Sequence, residues 1–219
     1  MYKAVIFDLD GTLLDTIFDL AQSMNNVLVR NGLPVHDIGK YKLMAGDGVE
    51  SLVRRSLPQT MQADHTVTRF INEYRDEYNL NWNKNTRPYD GIIGLLETLS
   101  SKGLSLNVLS NKPHDSTVQC ANELIPEIKF DIVRGLKTGE IPKPDPHGAI
   151  EISDMLRIPC SRFLYLGDTN TDMKTAVAAG MFPVGVLWGF RTKEELLESG
   201  AKLILEKPLD LLSFHIPDQ

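Results

Sequence analysis

Apolar positions follow two alternating rhythms along most of the chain. Ala4-Val5-Ile6-Phe7 is an unbroken apolar run, β-branched and aromatic in part, that ends at Asp8. Such a run predicts a short strand buried on both faces, as in a parallel sheet. Runs of the same kind recur at Leu104 to Leu109, Phe130 to Val133, Phe163 to Leu166 and Phe182 to Leu187. Between them the apolar residues take helical spacing: Leu95, Leu96 and Leu99; Val118, Ala121, Leu124 and Ile125; and Met173, Ala176 and Val177, with Gly180 placed to end the last helix. Strands that alternate with helices predict an α/β fold in which helices cover a parallel sheet.

One interval breaks the rhythm. From about Asp15 to Asn85 no strand pattern occurs and three helical patterns follow one another. The first carries Ile17, Leu20, Ala21, Met24, Val27 and Leu28 on one stripe, opens with a Thr16 to Asp19 capping-box spacing and stops at Gly32. The second carries Val49, Leu52 and Val53, and the third Val67, Phe70, Ile71, Tyr74 and Tyr78. Taken alone these stripes are the core of a small helical bundle. The expected organisation is therefore a core domain from residues 1–14 and 86–219 with a helical domain, residues 15–85, inserted into it. Two tethers, at Leu14-Asp15-Thr16 and at the polar stretch Asn81 to Pro88, leave the insert free to move as a body.

Composition narrows the function classes. The chain has 219 residues, 42% hydrophobic and 24% charged, which allows a sizeable core without metal or disulfide staples. Lys and Arg total 23 against 29 Asp and Glu, a net charge of −6, the wrong sign for a partner of nucleic acid or of anionic membrane. Cys120 and Cys160 show no paired spacing and read as buried thiols of a reducing compartment. Met1 to Phe7 runs straight into an acidic segment, so no secretory leader is expected, and no apolar run reaches the ~18 residues of a membrane span. A cytoplasmic location follows.

The candidate chemistry is acidic. Asp8 and Asp10 lie two apart at the end of the first strand, where strand alternation would send both side chains the same way, roughly 7 Å apart. Gly11-Thr12 follows, a sharp turn at the carboxyl edge where open α/β sheets place their ligands. A second acidic pair, Asp168 and Asp172, stands just past the run Phe163 to Leu166. If the two strands are neighbours, the carboxylates converge, and like charges at that range stay ionised only when a cation neutralises them. All the donors are oxygen, which favours Mg²⁺ over zinc or copper; His36, His65, His114, His147 and His215 have no metal spacing.

A helix cap is the bland reading of each aspartate. The string Asp8-Leu9-Asp10-Gly11-Thr12 resists it, since D-x-D-G-T arises by chance in on the order of one such chain in several hundred. Ser110-Asn111, at the end of Leu104 to Leu109 and near a helix start, offers a hydroxyl and N–H groups to an anion. Lys143 precedes another expected helix, with Asp145 as its N-cap and Pro146 at its first position.

In this order Asp8-Leu9-Asp10-Gly11-Thr12, Ser110-Asn111, Lys143 and Gly167-Asp168 to Asp172 resemble the four motifs of the haloacid dehalogenase superfamily of phosphatases, over nearly the whole chain. Gly46-Asp47-Gly48 with Leu52-Val53, Ser110-Asn111-Lys112-Pro113, Lys143-Pro144, and Gly185 to Phe190 with Trp188-Gly189 are similar in wording to its phosphoglycolate phosphatases. The resemblance implies a Rossmann-like core with the insert as a C1 cap. It implies Mg²⁺-dependent hydrolysis of a small phosphorylated metabolite, 2-phosphoglycolate, through an aspartyl-phosphate. By the same resemblance Asp8 is the nucleophile and Asp10 the acid and base. Asp8, the Asp10 carbonyl, Asp168 and Asp172 hold the metal, and Ser110, Lys143 and the N–H groups of Leu9 and Asn111 hold the phosphoryl oxygens. In the cap, Gly46, Gly48 and Arg54 or Arg55 would meet the substrate. Tyr89-Asp90-Gly91 departs from the family wording, which commonly has proline before the glycine.

Other functions share these motifs. A phosphosugar mutase or an inorganic pyrophosphatase would keep the core and change the cap, and a regulatory protein would bind phosphate without turnover. A carbon–halogen hydrolase needs neither metal nor second carboxylate, so Asp10 and the Asp168 cluster argue against it.

Overall fold

Ala4–Phe7 (β1) is buried at every position, because it lies in the middle of a six-stranded sheet whose two faces are both covered. The structure, a computed structural model, describes residues 2–214; His215 lies outside the described residues. Two compact units emerge, Met1–Leu14 with Pro88–Gln219, and Asp15–Arg87.

In the first unit the other strands of the sheet are β4 (Ser105–Pro113), β5 (Ile132–Leu136), β6 (Phe163–Gly167), β7 (Phe182–Val186) and β8 (Leu203–Leu205), in the order β5-β4-β1-β6-β7-β8. All neighbours run parallel. The chain thus builds outward from β1 in one direction through β4 and β5, and in the other through β6, β7 and β8. That makes β1 a topological switch point, where the loops leaving neighbouring strands part and open a crevice. Its helices are α5 (Ile92–Ser101), α6 (His114–Leu124), α7 (His147–Leu156), α8 (Asn170–Ala178) and α9 (Lys193–Glu198). Ala149 and Ile152 of α7 and Ala176 of α8 bury against Ala4, Ile6, Phe163 and Tyr165 on one face, while α5 and α6 pack on β4.

Several expectations are corrected. β4 does not stop at Leu109; it continues through Ser110-Asn111 to Pro113, which still pairs with Leu136 after a shift of register. Ser110 is therefore inside a strand, four residues before α6, and not at a helix start. β5 begins at Ile132, later than Phe130. Helix α7 starts at His147 with Pro146 as its N-cap residue, so Asp145 lies one residue further out, although its carboxylate still accepts from His147 N at 2.9 Å. Val177 is exposed, and Cys160 is only partly buried, whereas Cys120 is buried. β8 and α9 were not foreseen.

The second unit holds four helices: α1 (Ile17–Arg30), α2 (Ile38–Met44), α3 (Val49–Ser56) and α4 (Asp64–Asn79). The α1 stripe is buried from Ile17 to Leu28, as are Val67, Phe70, Tyr74 and Tyr78 of α4. The Thr16–Asp19 capping box does not form, because Thr16 is already helical (φ −105°, ψ −7°) and makes no side-chain cap. Asp19 turns instead to the returning chain, accepting four bonds of 2.8 Å from Asn85 N, Asn85 Nδ2, Thr86 N and Thr86 Oγ1. These bonds hold its carboxyl below the usual range against the opposing effect of burial. At the junction of the units, Leu14–Asp15 (β2) and Arg87–Pro88 (β3) pair as a two-stranded ribbon.

Candidate active site

Register brings the site together. Phe7 of β1 is level with Val108 of β4 and Leu166 of β6, so the next residues of all three strands reach the crevice at one height. Asp8 N still donates to Leu166 O at 2.9 Å, after which the chain turns. Gly11 makes that turn with φ +87°, and a Cβ there would overlap the Asp168 carboxylate. Because the chain curls after Asp8 rather than staying extended, the Asp8 and Asp10 carboxylates meet different lysines, Lys143 and Lys112.

Asp8, Asp168 and Asp172 each present a carboxylate oxygen within 4.8 Å of the others, all three residues buried. Lys143 Nζ stands 2.7 Å from Asp172 Oδ1 and 2.9 Å from Asp8 Oδ1, and donates to Leu109 O at 3.1 Å. Asp8 Oδ1 nonetheless receives no aligned hydrogen bond. Burial pushes the Asp8 carboxyl up to about 7; Lys143 opposes the rise and Asp172 adds to it. Asp168 is raised well above the usual carboxylate range by burial and by its acidic neighbours Asp172 and Asp8. For Lys143 burial works against the charge, but Asp172 and Asp8 outweigh it and keep the ammonium protonated.

Three carboxylates against one ammonium leave a formal excess of two negative charges in a buried volume, an arrangement that calls for a divalent cation. Oxygen-only donors suit a hard ion such as Mg²⁺. The excess charge of the cluster is what a bound cation would offset.

Asp168 and Asp172 are also held from behind. Thr12 Oγ1 donates to Asp168 Oδ1 at 3.0 Å and Phe190 N to Oδ2 at 2.9 Å, while Trp188 Nε1 donates to Thr12 O at 2.9 Å. Gly189, between them, packs so closely that a Cβ would overlap Asp168 and Gly11 O. Asp172 is the third residue of α8, not its cap: Thr169 caps the helix and the two form a capping box, with Asp172 Oδ2 accepting from Thr169 N and Oγ1. One carboxylate thus starts a helix and pins Lys143.

Asn111 lies beside Lys143, but its carboxamide clasps that residue's backbone, donating to Lys143 O at 3.1 Å and accepting from Lys143 N at 2.8 Å. Ser110 Oγ accepts from Lys112 N. Asp10 is bonded through both oxygens to Lys112 Nζ, at 3.2 and 3.3 Å. The residue roles expected from sequence had left Lys112 out, although it stands in the Ser110-Asn111-Lys112-Pro113 string; Thr12, Trp188 and Phe190 were likewise visible only as wording. In the inserted unit, Gly46 and Gly48 both have positive φ, and Gly48 precedes the first turn of α3. Arg54 is engaged by Glu50, Asp64 and Gln62 O, and Arg55 by Asp47 and Met44 O.

Residues 5–186 match the profile of the haloacid dehalogenase-like hydrolase family. A phosphoglycolate phosphatase of Pseudomonas fluorescens (strain Pf0-1) is 29% identical over 93% of this chain and 76% of its own length. One from Thiobacillus denitrificans is 29% identical over 90% of this chain and 88% of its own. A crystal structure from Lactobacillus delbrueckii subsp. bulgaricus, provisionally named a phosphoglycolate phosphatase, superposes with a TM-score of 0.89 at 30% identity, covering 96% of each chain.

Proposed function

Because the chain belongs to the haloacid dehalogenase-like hydrolase family and is a hydrolase of phosphoric monoesters, we propose that it hydrolyses 2-phosphoglycolate or a close small analogue, with Mg²⁺, through an aspartyl-phosphate on Asp8. The observation that carries this reading is the meeting of Asp8, Asp168, Asp172 and Lys143 in one buried cluster.

Asp8 is the nucleophile. Its carboxylate oxygen bonds to phosphorus as the bond from phosphorus to the leaving oxygen breaks. Asp10 gives its proton to that oxygen and then takes one from the water that hydrolyses the aspartyl-phosphate. Lys143 and Ser110 hold the phosphoryl oxygens, and Asn111 keeps the Lys143 backbone in place. A divalent cation, held by Asp8, Asp168, Asp172 and the Asp10 main-chain carbonyl, would offset the excess negative charge of the cluster and of the phosphoryl group. Positioning and fixed charge then supply most of the rate. The 15–87 unit serves as the cap that selects the leaving group, with Gly46, Gly48 and Arg54 on its substrate side. Among the described residues no helix is long and apolar enough to cross a membrane, and the net charge of −6 disfavours nucleic acid; we place the enzyme in the cytoplasm.

A parallel assay of 2-phosphoglycolate, pyrophosphate and glucose 1-phosphate, with Mg²⁺ and with excess EDTA, tests the reading. The expected result is preference for 2-phosphoglycolate and loss of turnover in EDTA. Full activity in EDTA, or from Asp8→Asn, would sink the mechanism; preference for another phosphate would sink the substrate alone.

A further inference from the structure

Among the described residues only two lysines are buried, Lys112 and Lys143. Removing an ammonium from water is costly unless a carboxylate meets it, so each position says something about its partner. Lys143 meets the nucleophile. Lys112, its side chain only 5% exposed, reaches across 102 residues of sequence to both oxygens of Asp10.

We propose that Lys112 is the positioning residue of Asp10: its ammonium holds the carboxylate at the angle from which it serves the leaving oxygen. The inference rests on the reading of Asp10 as acid and base. The Asp10 backbone is fixed by its bridge to Leu14 and by Gly11 N donating to Leu14 O at 2.9 Å. Its side chain, 18% exposed, keeps two rotatable bonds that those contacts leave free, and the two Lys112 bonds fix them. Lys112 is rigid enough for the task. Its N–H donates to Ser110 Oγ, its carbonyl accepts from Thr117 Oγ1 at 3.2 Å, and Gly135 packs so tightly on that carbonyl that a Cβ would overlap it.

The site thus has two carboxylate–lysine pairs with separate duties. Asp8 with Lys143 faces the phosphoryl group; Asp10 with Lys112 faces the group that departs. Lys112 exchanges no proton. The proton passes from the Asp10 carboxyl to the leaving alkoxide as phosphorus bonds to Asp8. It is replaced from water as the water oxygen bonds to phosphorus and the Asp8–phosphorus bond breaks.

Leaving-group dependence tests this. kcat/KM covers the steps up to alcohol release, and an alkyl phosphate needs a proton there, whereas p-nitrophenolate departs without one. Asp10→Asn and Lys112→Met should each lose on the order of 100-fold in kcat/KM on an alkyl phosphomonoester. On p-nitrophenyl phosphate the loss should be at least about tenfold smaller. The double variant should lose no more than Asp10→Asn alone, since the lysine acts through the aspartate. Lys112→Arg should regain part of the loss. A lysine that merely supports the fold would lower both substrates equally and add its effect to that of Asp10→Asn; either result overturns the proposal. If Asp10→Asn itself shows no leaving-group dependence, the reading of Asp10 fails and takes the proposal with it. If only Lys112→Met lacks the dependence, the lysine's role fails alone. Should Lys112→Met not fold by circular dichroism, Lys112→Gln and Lys112→Arg carry the same comparison.

Discussion

Asp19 and Asp8 are both buried aspartates, 2% and 5% exposed, and they stand in opposite electrostatic states. In the inserted unit four donors surround Asp19, and its carboxyl is held below the ordinary range. In the core unit Asp8 shares one ammonium with another carboxylate and is pushed up to about 7, chiefly by burial. Burial therefore does not decide the role of an aspartate. Asp19 is satisfied by its own chain, whereas Asp8, the nucleophile of the proposed mechanism, shares its one ammonium with Asp172.

The largest effect expected from this contrast is kinetic. Asp8→Asn should cut turnover by on the order of 10⁴-fold or more, measured as phosphate release, while Asp19→Asn should leave the rate within a few-fold. Equal losses would erase the distinction.

Stability should respond to pH in opposite senses at the two sites. A carboxyl raised from 3.8 to about 7 binds its proton more tightly in the folded state, so without cation its contribution falls as pH rises through that window. Added Mg²⁺ should abolish the loss at neutral pH. For Asp19 the folded value lies below 3.8, so its contribution is present above the unfolded value and is lost as pH falls through the folded one. Thermal melts from pH 3 to 8, with EDTA and with Mg²⁺, read both arms; a metal-free protein that is most stable at pH 8 would contradict the first.

Asp19→Ala removes the acceptor of the buried Thr86 N–H and hydroxyl as well as of two part-buried Asn85 donors, and should cost roughly 2–4 kcal/mol by urea unfolding. Gly189→Ala should cost about 1–3 kcal/mol. Because it displaces Asp168, it should also weaken Mg²⁺ binding by calorimetry about 10-fold or more; unchanged affinity would show that the loop does not support the site. Arg54→Ala breaks two exposed ion pairs and one hydrogen bond to Gln62 O and should move the melting curve least of these variants.

How much of this was legible depended on where the information lay. β1, β6 and β7 announce themselves because a strand covered on both faces must be apolar throughout. The end of β4 does not, since Ser110-Asn111-Lys112-Pro113 is polar for the sake of the crevice and reads as a loop. Helix α2 buries only Tyr41, and α9 only Leu196, so neither offers a period to find. In the site, the string around Asp8 and the acidic residues after β6 stood out by composition. Their pairings did not: Lys112 to Asp10 and Trp188 to Thr12 join residues 102 and 176 apart in the chain. The Thr16–Asp19 spacing misled for the same reason, because Asn85 and Thr86, far along the chain, outbid the local cap for the Asp19 carboxylate.

The ribbon of Leu14–Asp15 and Arg87–Pro88, followed by Tyr89 N donating to Leu13 O at 3.1 Å, brings the entry and exit of the helical unit side by side. A module that departs and returns through one doorway imposes no span on the sheet beneath it. It can lengthen or shrink without shifting the register of a single core strand, so whatever the helical unit contributes to selectivity is separable from the residues carried by the sheet.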